Sequence, residues 1–197
     1  MFEKYFEKAI TDFIKQFQSN SFRYFYEEDL RAALAINLSN LFDEIKYKVR
    51  ADFAKILEVD EICSNPIKCE YPQSGKKNKK FDIVYIEDVG SDFYNCEIRI
   101  AIELKLGSLI YDRLGKFKED IEKLEKRLAE SNKSEFLGIG LYFYQGEIDL
   151  RYVKEWFPEA SKEIRQISKT SFEKIHLNSY GLNIFIISKS SLFILPV

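Results

Sequence analysis

The sequence predicts an α/β fold in which helices flank a mixed β-sheet, and three observations lead to this prediction. Residues 97–107 alternate apolar and polar side chains without a break, as a β-strand does. Helical patterns stand before that strand at residues 2–18 and after it at residues 116–130. An apolar run at residues 136–144 follows the second of these helices. A helix between two strands is typical of a crossover and therefore of a parallel strand pair.

Length and composition favour one packed domain over residues 1–197. Hydrophobic residues make up 46% of the chain and charged residues 31%, which argues against disorder. The formal charge of -2 excludes a histone-like, strongly basic protein, so a polyanion would have to be bound by a local patch.

The chain lacks the patterns of a secreted, zinc-binding or membrane protein. Its three cysteines and its one histidine, His176, support neither a disulfide framework nor a zinc site. No run of residues approaches 18 apolar positions. We therefore expect a cytoplasmic protein with no membrane partner.

Two amphipathic helices are predicted at the N-terminal end. The first covers residues 2–18, and after a polar break the second runs to about Tyr47 with a leucine stripe on one face. Glu27 lies on that leucine face near the start of the second helix. It is either an acid that complements the positive end of the helix dipole or a functional residue.

A short helix at residues 52–57 is expected next, and then strands at residues 67–71 and 81–86. Asp82 lies within the second of these apolar strands, where a carboxylate is costly unless a cation or metal ion accompanies it. Residues 72–75 form a predicted turn, and residues 87–95 a predicted loop. The lysines that follow the turn form either a solvated hairpin tip or a phosphate-binding patch: Lys76, Lys77, Lys79 and Lys80.

The strand at residues 97–107 places Glu103 and Lys105 side by side on one face, roughly 6 to 7 Å apart. On a half-solvated sheet this pair could be a simple surface ion pair. Asp82 opens the preceding antiparallel strand and Glu103 lies near the end of its own strand. The two carboxylates are therefore expected at the same end of the sheet.

The remainder of the chain is predicted to add one further helix and several strands. Asp120, Lys123 and Arg127 lie on one flank of the helix at residues 116–130, where they could line a groove. The further elements are a strand at residues 147–153, a helix at 158–168 begun by Pro158, and strands at 174–177, 182–188 and 192–195.

Three segments together resemble the PD-(D/E)XK nuclease superfamily, which has the restriction-endonuclease-like fold. They are the helix that bears Glu27, the stretch Phe-Asp-Ile-Val-Tyr around Asp82, and Ile-Glu-Leu-Lys at residues 102–105. The resemblance covers about residues 22–144 and implies an αβββαβ core, with residues 145–197 as a C-terminal extension packed on it. Phe81 stands where the family has a proline before the aspartate.

The resemblance implies a Mg²⁺-dependent DNA endonuclease in which Mn²⁺ can replace Mg²⁺. Asp82, Glu103 and Glu27 match the metal-binding acids of the family, and Lys105 matches its catalytic lysine. The lysine run at residues 76–80 would bind backbone phosphates, and a homodimer would cut both strands of a duplex. Carboxylate oxygens are the ligands that Mg²⁺ prefers, which agrees independently with this assignment. Glu70 is a further candidate for the site.

Two other functions remain open from the sequence. One is a nucleic-acid-binding or assembly module of the same fold with weak or no catalysis. The other is a protein-interaction domain in which Glu103 and Lys105 form only a surface ion pair.

Overall fold

A computed structural model describes residues 3–48, 61–72, 80–87, 97–107, 113–131, 136–178 and 181–196 of the protein. Its helices are α1 (Glu3–Ser19), α2 (Glu27–Ser39), α3 (Leu114–Glu130) and α4 (Leu150–Trp156). Its strands are β1 (Ile45–Lys48), β2 (Glu61–Ser64), β3 (Ile67–Pro72), β4 (Lys80–Glu87), β5 (Glu97–Gly107), β6 (Leu137–Tyr144), β7 (Arg165–Ser168), β8 (Gly181–Ile187) and β9 (Ser191–Leu195). None of the described helices has the length and apolar character needed to cross a membrane.

Seven strands form one mixed sheet in the order β3-β4-β5-β6-β8-β9-β7, and β1 pairs separately with β2. Strands β3, β4 and β5 are antiparallel neighbours. Helix α3 then crosses over the sheet, and β6 runs parallel to β5 as β8 does to β6. The predicted α/β class, a mixed sheet flanked by helices, is confirmed.

Helices cover both faces of this sheet. On one face α1 and α2 pack against β5 residues such as Ile102 and Leu104, while α3 packs Phe117 and Ile121 on the other. Because both faces are covered, strand β6 is buried along almost its whole length. Polar side chains of the central strands are consequently enclosed by protein at every point except the strand ends.

Helix α1 joins the C-terminal part of the chain through a series of hydrogen bonds. The Thr11 hydroxyl accepts a bond from the Ile175 backbone N–H at 3.2 Å, and the Glu7 carboxylate accepts one from the Leu177 N–H at 3.0 Å. The Gln18 amide donates to the Ser188 carbonyl at 3.1 Å. All three bonds connect the two ends of the described chain.

These bonds explain why residues 174–177 are not the predicted strand. The N–H groups of Ile175 and Leu177 bond to side chains of α1, so the segment follows the helix rather than a neighbouring strand. The helix predicted at residues 158–168 is also wrong, since turns fill residues 158–163 and Arg165–Ser168 pairs with β9 as strand β7. In both segments, contacts with distant parts of the chain determine the secondary structure.

Two further boundaries differ from the prediction because side chains bind backbone groups at the helix ends. The second helix ends at Ser39 rather than near Tyr47, and the Asn65 amide binds the Ser39 and Phe42 carbonyls where the chain turns toward β1. Residues 147–153 are not a strand, because the Asp149 carboxylate accepts the Arg151 N–H at 2.7 Å and starts helix α4. The helix expected at residues 52–57, and most of the predicted turn and loop at residues 72–75 and 87–95, lie outside the described residues.

Gly140 allows α3 to lie close to β6, next to the position of Glu103 on β5. A Cβ atom at residue 140 would lie 2.3 Å from Ile121 Cδ1 and 3.1 Å from Phe117 Cζ. We expect Gly140→Ala to lower the free energy of unfolding by about 1 to 3 kcal/mol, because the added methyl group overpacks this contact. Chemical denaturation of the variant measures the loss.

Gly115→Ala, on helix α3 itself, is the matched control. Its Cβ would meet Trp156 at an ordinary distance of 3.6 Å, so we expect unchanged or slightly higher stability. Equal destabilisation of the two variants would contradict close packing at Gly140.

Candidate active site

Asp82 is fixed by two hydrogen bonds at the start of β4. Its Oδ2 accepts the Leu104 backbone N–H at 2.9 Å, and its Oδ1 accepts Arg31 Nη1 from α2 at 3.2 Å. Ile83 pairs with Ile102 in the antiparallel register, so the next positions outward are Asp82 and Glu103. The Asp82 carboxylate lies near enough to the Glu103 carboxylate to raise the pKa of Glu103.

Glu103 is buried, with only 1% of its surface exposed. Its Oε1 lies 2.6 Å from Lys123 Nζ of α3. The Lys123 ammonium is the ion-pair partner of this buried oxygen, and no other described group donates a hydrogen bond to it. Burial and then the neighbouring Asp82 carboxylate raise the pKa of Glu103 well above its usual value, and Lys123 only partly opposes them.

Lys105 lies between two carboxylates on different helices. Its Nζ is 3.0 Å from Glu27 Oε1 of α2 and 3.1 Å from Asp120 Oδ2 of α3. Burial alone would lower the pKa of Lys105, but Asp120 and Glu27 outweigh it and raise the pKa. Lys105 is therefore held as a cation.

Charges of opposite sign alternate around this end of the sheet. Arg31 contacts Glu70 at 3.1 Å as well as Asp82, and Glu70 also pairs with Lys80 at 3.1 Å. Lys123 adds a bond of 2.8 Å to the Lys80 carbonyl. Side chains from α2, β3, β4, β5 and α3 thus meet at one strand end, which is the region that the predicted site requires.

The structure brings most of the predicted site residues together, with one change of partner. Glu103 and Lys105 do not form the exposed ion pair that the sequence left open, because Glu103 is buried against Lys123 and Lys105 binds Glu27. Glu27 reaches the site through Lys105, and its role as a direct metal ligand stays a prediction.

Of the residues predicted around the site, some reach it, one packs elsewhere, and some lie outside the described residues. Lys80 is described and exposed, whereas Lys76, Lys77 and Lys79 lie outside the described residues. Lys123 reaches the site as the sequence suggested, but the Arg127 guanidinium packs over the Phe136 ring at 6.0 Å.

Arg31 is the residue of this site that the sequence reasoning missed. It lies four positions after Glu27, one helical turn further along the same face of α2. This spacing in the sequence could have identified Arg31 as a residue of the site. A second missed contact is Arg113, whose Nη1 lies 3.7 Å from Glu27 Oε2 at the start of α3.

The carboxylates at this strand end fit a small divalent cation of the magnesium type. Asp82 and Glu103 supply hard oxygen ligands, and an ion bound at Glu103 would replace the Lys123 ammonium there. No group of three or more His, Cys, Asp or Glu side chains is arranged to hold a metal within the described residues. Mg²⁺ commonly binds through one or two carboxylates together with water and substrate phosphates, so the acidic pair is a sufficient protein contribution.

Comparison with known proteins adds no relative: no protein-family model matches the chain, and neither a curated protein nor a solved structure is significantly similar to it. The residues of the chain itself therefore carry the functional argument.

Proposed function

We propose that the protein is a Mg²⁺-dependent nuclease that hydrolyses phosphodiester bonds, with DNA as its substrate. The observation that carries the proposal is the buried Glu103 carboxylate opposite Asp82, with the Lys105 ammonium two residues further along β5. A further support is that, apart from the separate pair β1 and β2 that follows α2, the elements run α2, β3, β4, β5, α3, β6, which is the order implied by the resemblance to PD-(D/E)XK nucleases.

Burial of an acidic pair is expensive in the free protein and is explained by a cation that binds there. Asp82, Glu103 and Asp120 lie close enough for the first and third to raise the pKa of the second. Asp82 and Glu103 would hold Mg²⁺, and Glu27 is the candidate for a third ligand. When bound, the ion would polarise the scissile phosphate and activate the attacking water.

Lys105 is suited to stabilise charge in this reaction. Its raised pKa keeps the ammonium protonated, which favours electrostatic stabilisation of the phosphate over proton abstraction from water. Glu27 and Asp120 fix its position from two sides. The same two contacts prevent the side chain from swinging toward solvent.

The lysine run is the proposed contact to the nucleic-acid backbone. Lys80 opens β4 two residues before Asp82, so Lys76, Lys77 and Lys79 precede the site directly in sequence. Contacts of lysine to phosphate give affinity without sequence recognition and weaken as salt rises. Cleavage of both strands of a duplex would require two such sites, hence the proposed homodimer.

A second candidate function is a nucleic-acid-binding module of this fold without catalysis. Lys123 favours it, since its ammonium lies 2.6 Å from Glu103, where a metal ion would bind. In a nuclease, the Lys123 ammonium would have to move away from Glu103 when the metal ion binds. In the binding module this contact would be permanent.

The deciding experiment incubates the protein with supercoiled, linear and single-stranded DNA and with RNA, in the presence of Mg²⁺, Mn²⁺ or EDTA. We expect cleavage of DNA with either ion and none with EDTA. Asp82→Asn should reduce the rate by at least about a hundredfold, because the amide keeps the shape of the side chain but loses the charge.

The matched control is Asp149→Asn, which makes the same chemical change at an exposed helix cap away from the site. It should cleave like the wild type. Binding of DNA without cleavage under every condition would favour the binding module, and equal activity of Asp82→Asn and the wild type would refute the proposed site.

A further inference from the structure

A groove of about 600 Å³ lies on the other flank of α3 from the candidate active site. One wall is α3 itself, and the second wall is the end of α4 and the segment that follows it, from Trp156 to Glu163. Ile184 of β8 and Leu195 of β9 lie at its base. Its volume is in the range of natural ligand-binding clefts.

The base and the aromatic wall of this groove are apolar. Ile121, Ile184 and Leu195 line the base, while Trp156 and Phe157 are half-buried on the second wall. The Lys118 ammonium lies over these two rings, 6.0 Å and 5.5 Å from their centres. Lys118 therefore contacts the aromatic wall.

The rim carries four exposed glutamates, two on each wall. Glu122 and Glu125 project from α3, and Glu159 and Glu163 from the opposite segment. Among the described residues no lysine, arginine or histidine forms an ion pair with any of these four. Four carboxylates around an apolar cleft outnumber its lining cation, Lys118, and leave a net negative potential.

We propose that this groove binds a basic amphipathic segment of a partner protein. Apolar side chains of the segment would enter the cleft, and lysines or arginines beside them would face the glutamates on both walls. The negative rim repels phosphates, which excludes a nucleic acid as the occupant. Residues 118–125 of α3 span about 10 Å at 1.5 Å per residue, which accommodates several consecutive residues of a peptide.

This proposal is independent of the proposed nuclease activity. At 100° per residue, Lys118, Glu122 and Glu125 lie on one side of the apolar stripe of α3, and Asp120 and Lys123 lie on the other. The protein would therefore bind a polyanion on one flank of α3 and a basic polypeptide on the other.

The test is a selection from a display library of random twelve-residue peptides against the purified protein. We expect the enriched sequences to combine apolar residues with a net positive charge. A synthetic peptide from the selection should change the fluorescence of Trp156, which is the single tryptophan of the chain and lies in the groove.

The discriminating variant is Glu122→Gln with Glu125→Gln, which removes two rim charges and keeps side-chain size. We expect this double variant to bind the selected peptide about fivefold more weakly at low salt, since each rim charge contributes modestly to the binding free energy. The matched control, Glu44→Gln with Glu173→Gln, neutralises two exposed glutamates outside the groove and should bind like the wild type.

Three results would overturn the proposal. The first is a selection that enriches no peptides or enriches them without a charge bias. The second is equal binding to the wild type and to the Glu122→Gln, Glu125→Gln variant. The third is a fluorescence response of Trp156 to an oligonucleotide, which would identify an anionic occupant.

Discussion

Lys105→Met is expected to reduce the rate of DNA cleavage by at least about a hundredfold. The substitution removes the ammonium that lies 3.0 Å from Glu27 and 3.1 Å from Asp120, while it preserves most of the apolar stem. Without this cation, the charge that develops on the phosphate loses its nearest protein partner. Single-turnover cleavage with saturating Mg²⁺ measures the effect on the chemical step.

Two measurements separate this catalytic role from a structural one. Glu27 keeps its contact with Arg113 and Asp120 keeps its contact with Lys123, both at 3.7 Å, so the variant should remain folded. Circular dichroism should therefore match that of the wild type, and stabilisation by Mg²⁺ should persist. Lys126→Met, a change at an exposed position of α3, should leave the rate unaltered. A folded Lys105→Met protein with the wild-type rate would remove Lys105 from the mechanism.

Glu103→Gln is expected to stabilise the fold at neutral pH while it abolishes cleavage. The raised pKa of Glu103 means that the native state disfavours the ionised carboxylate, so neutral glutamine removes a destabilising charge. Lys123 does not become isolated, because it keeps the Lys80 carbonyl and the Asp120 carboxylate. We therefore expect the free energy of unfolding near pH 7 to be higher for the variant than for the wild type.

The sign of the pH dependence follows from the direction of the shift. Below pH 4.5, the usual pKa of a glutamate, Glu103 is mostly protonated in both the folded and unfolded states, and the variant has little advantage. As pH rises, the unfolded chain ionises first, so the wild type loses stability until the folded pKa is passed. The difference between variant and wild type should therefore be small near pH 4 and grow toward neutral pH.

Glu97→Gln on the same strand provides the control for this pH profile. Glu97 is only half-buried and pairs with Arg99, and we expect no gain in stability that grows with pH. Addition of Mg²⁺ should stabilise the wild type and the Glu97→Gln variant but not Glu103→Gln, since ligand binding to the native state raises its stability. Equal stabilisation of all three proteins by Mg²⁺ would place the ion elsewhere.

The sequence predicted the elements whose pattern is set by burial. Strand β5 alternates regularly because its two faces meet different helices, and α3 carries a continuous apolar stripe, so both were visible from periodicity. The meeting of Asp82 with Glu103 followed from the antiparallel pairing of their strands. The closeness of Asp82 and Glu103 could therefore be predicted from the sequence.

Long-range partners could not be derived in the same way. Lys123 contacts Glu103 because α3 crosses the sheet close to β6, and that approach depends on Gly140. Likewise, residues 174–177 resemble a strand in sequence, but hydrogen bonds from their backbone to α1 determine their path. Such contacts depend on the complete fold rather than on local propensity.

The bonds between α1 and the C-terminal segment have a consequence for biosynthesis. Their partners are separated by 164 and 170 residues, so the helix leaves the ribosome long before the backbone groups it binds have been made. Until then, the apolar side of the helix, which includes Phe6, Phe13 and Phe17, lacks its final cover. Completion of the native fold therefore has to wait until residues 175, 177 and 188 have left the ribosome, and a chaperone that shields this helix would protect the protein during that interval.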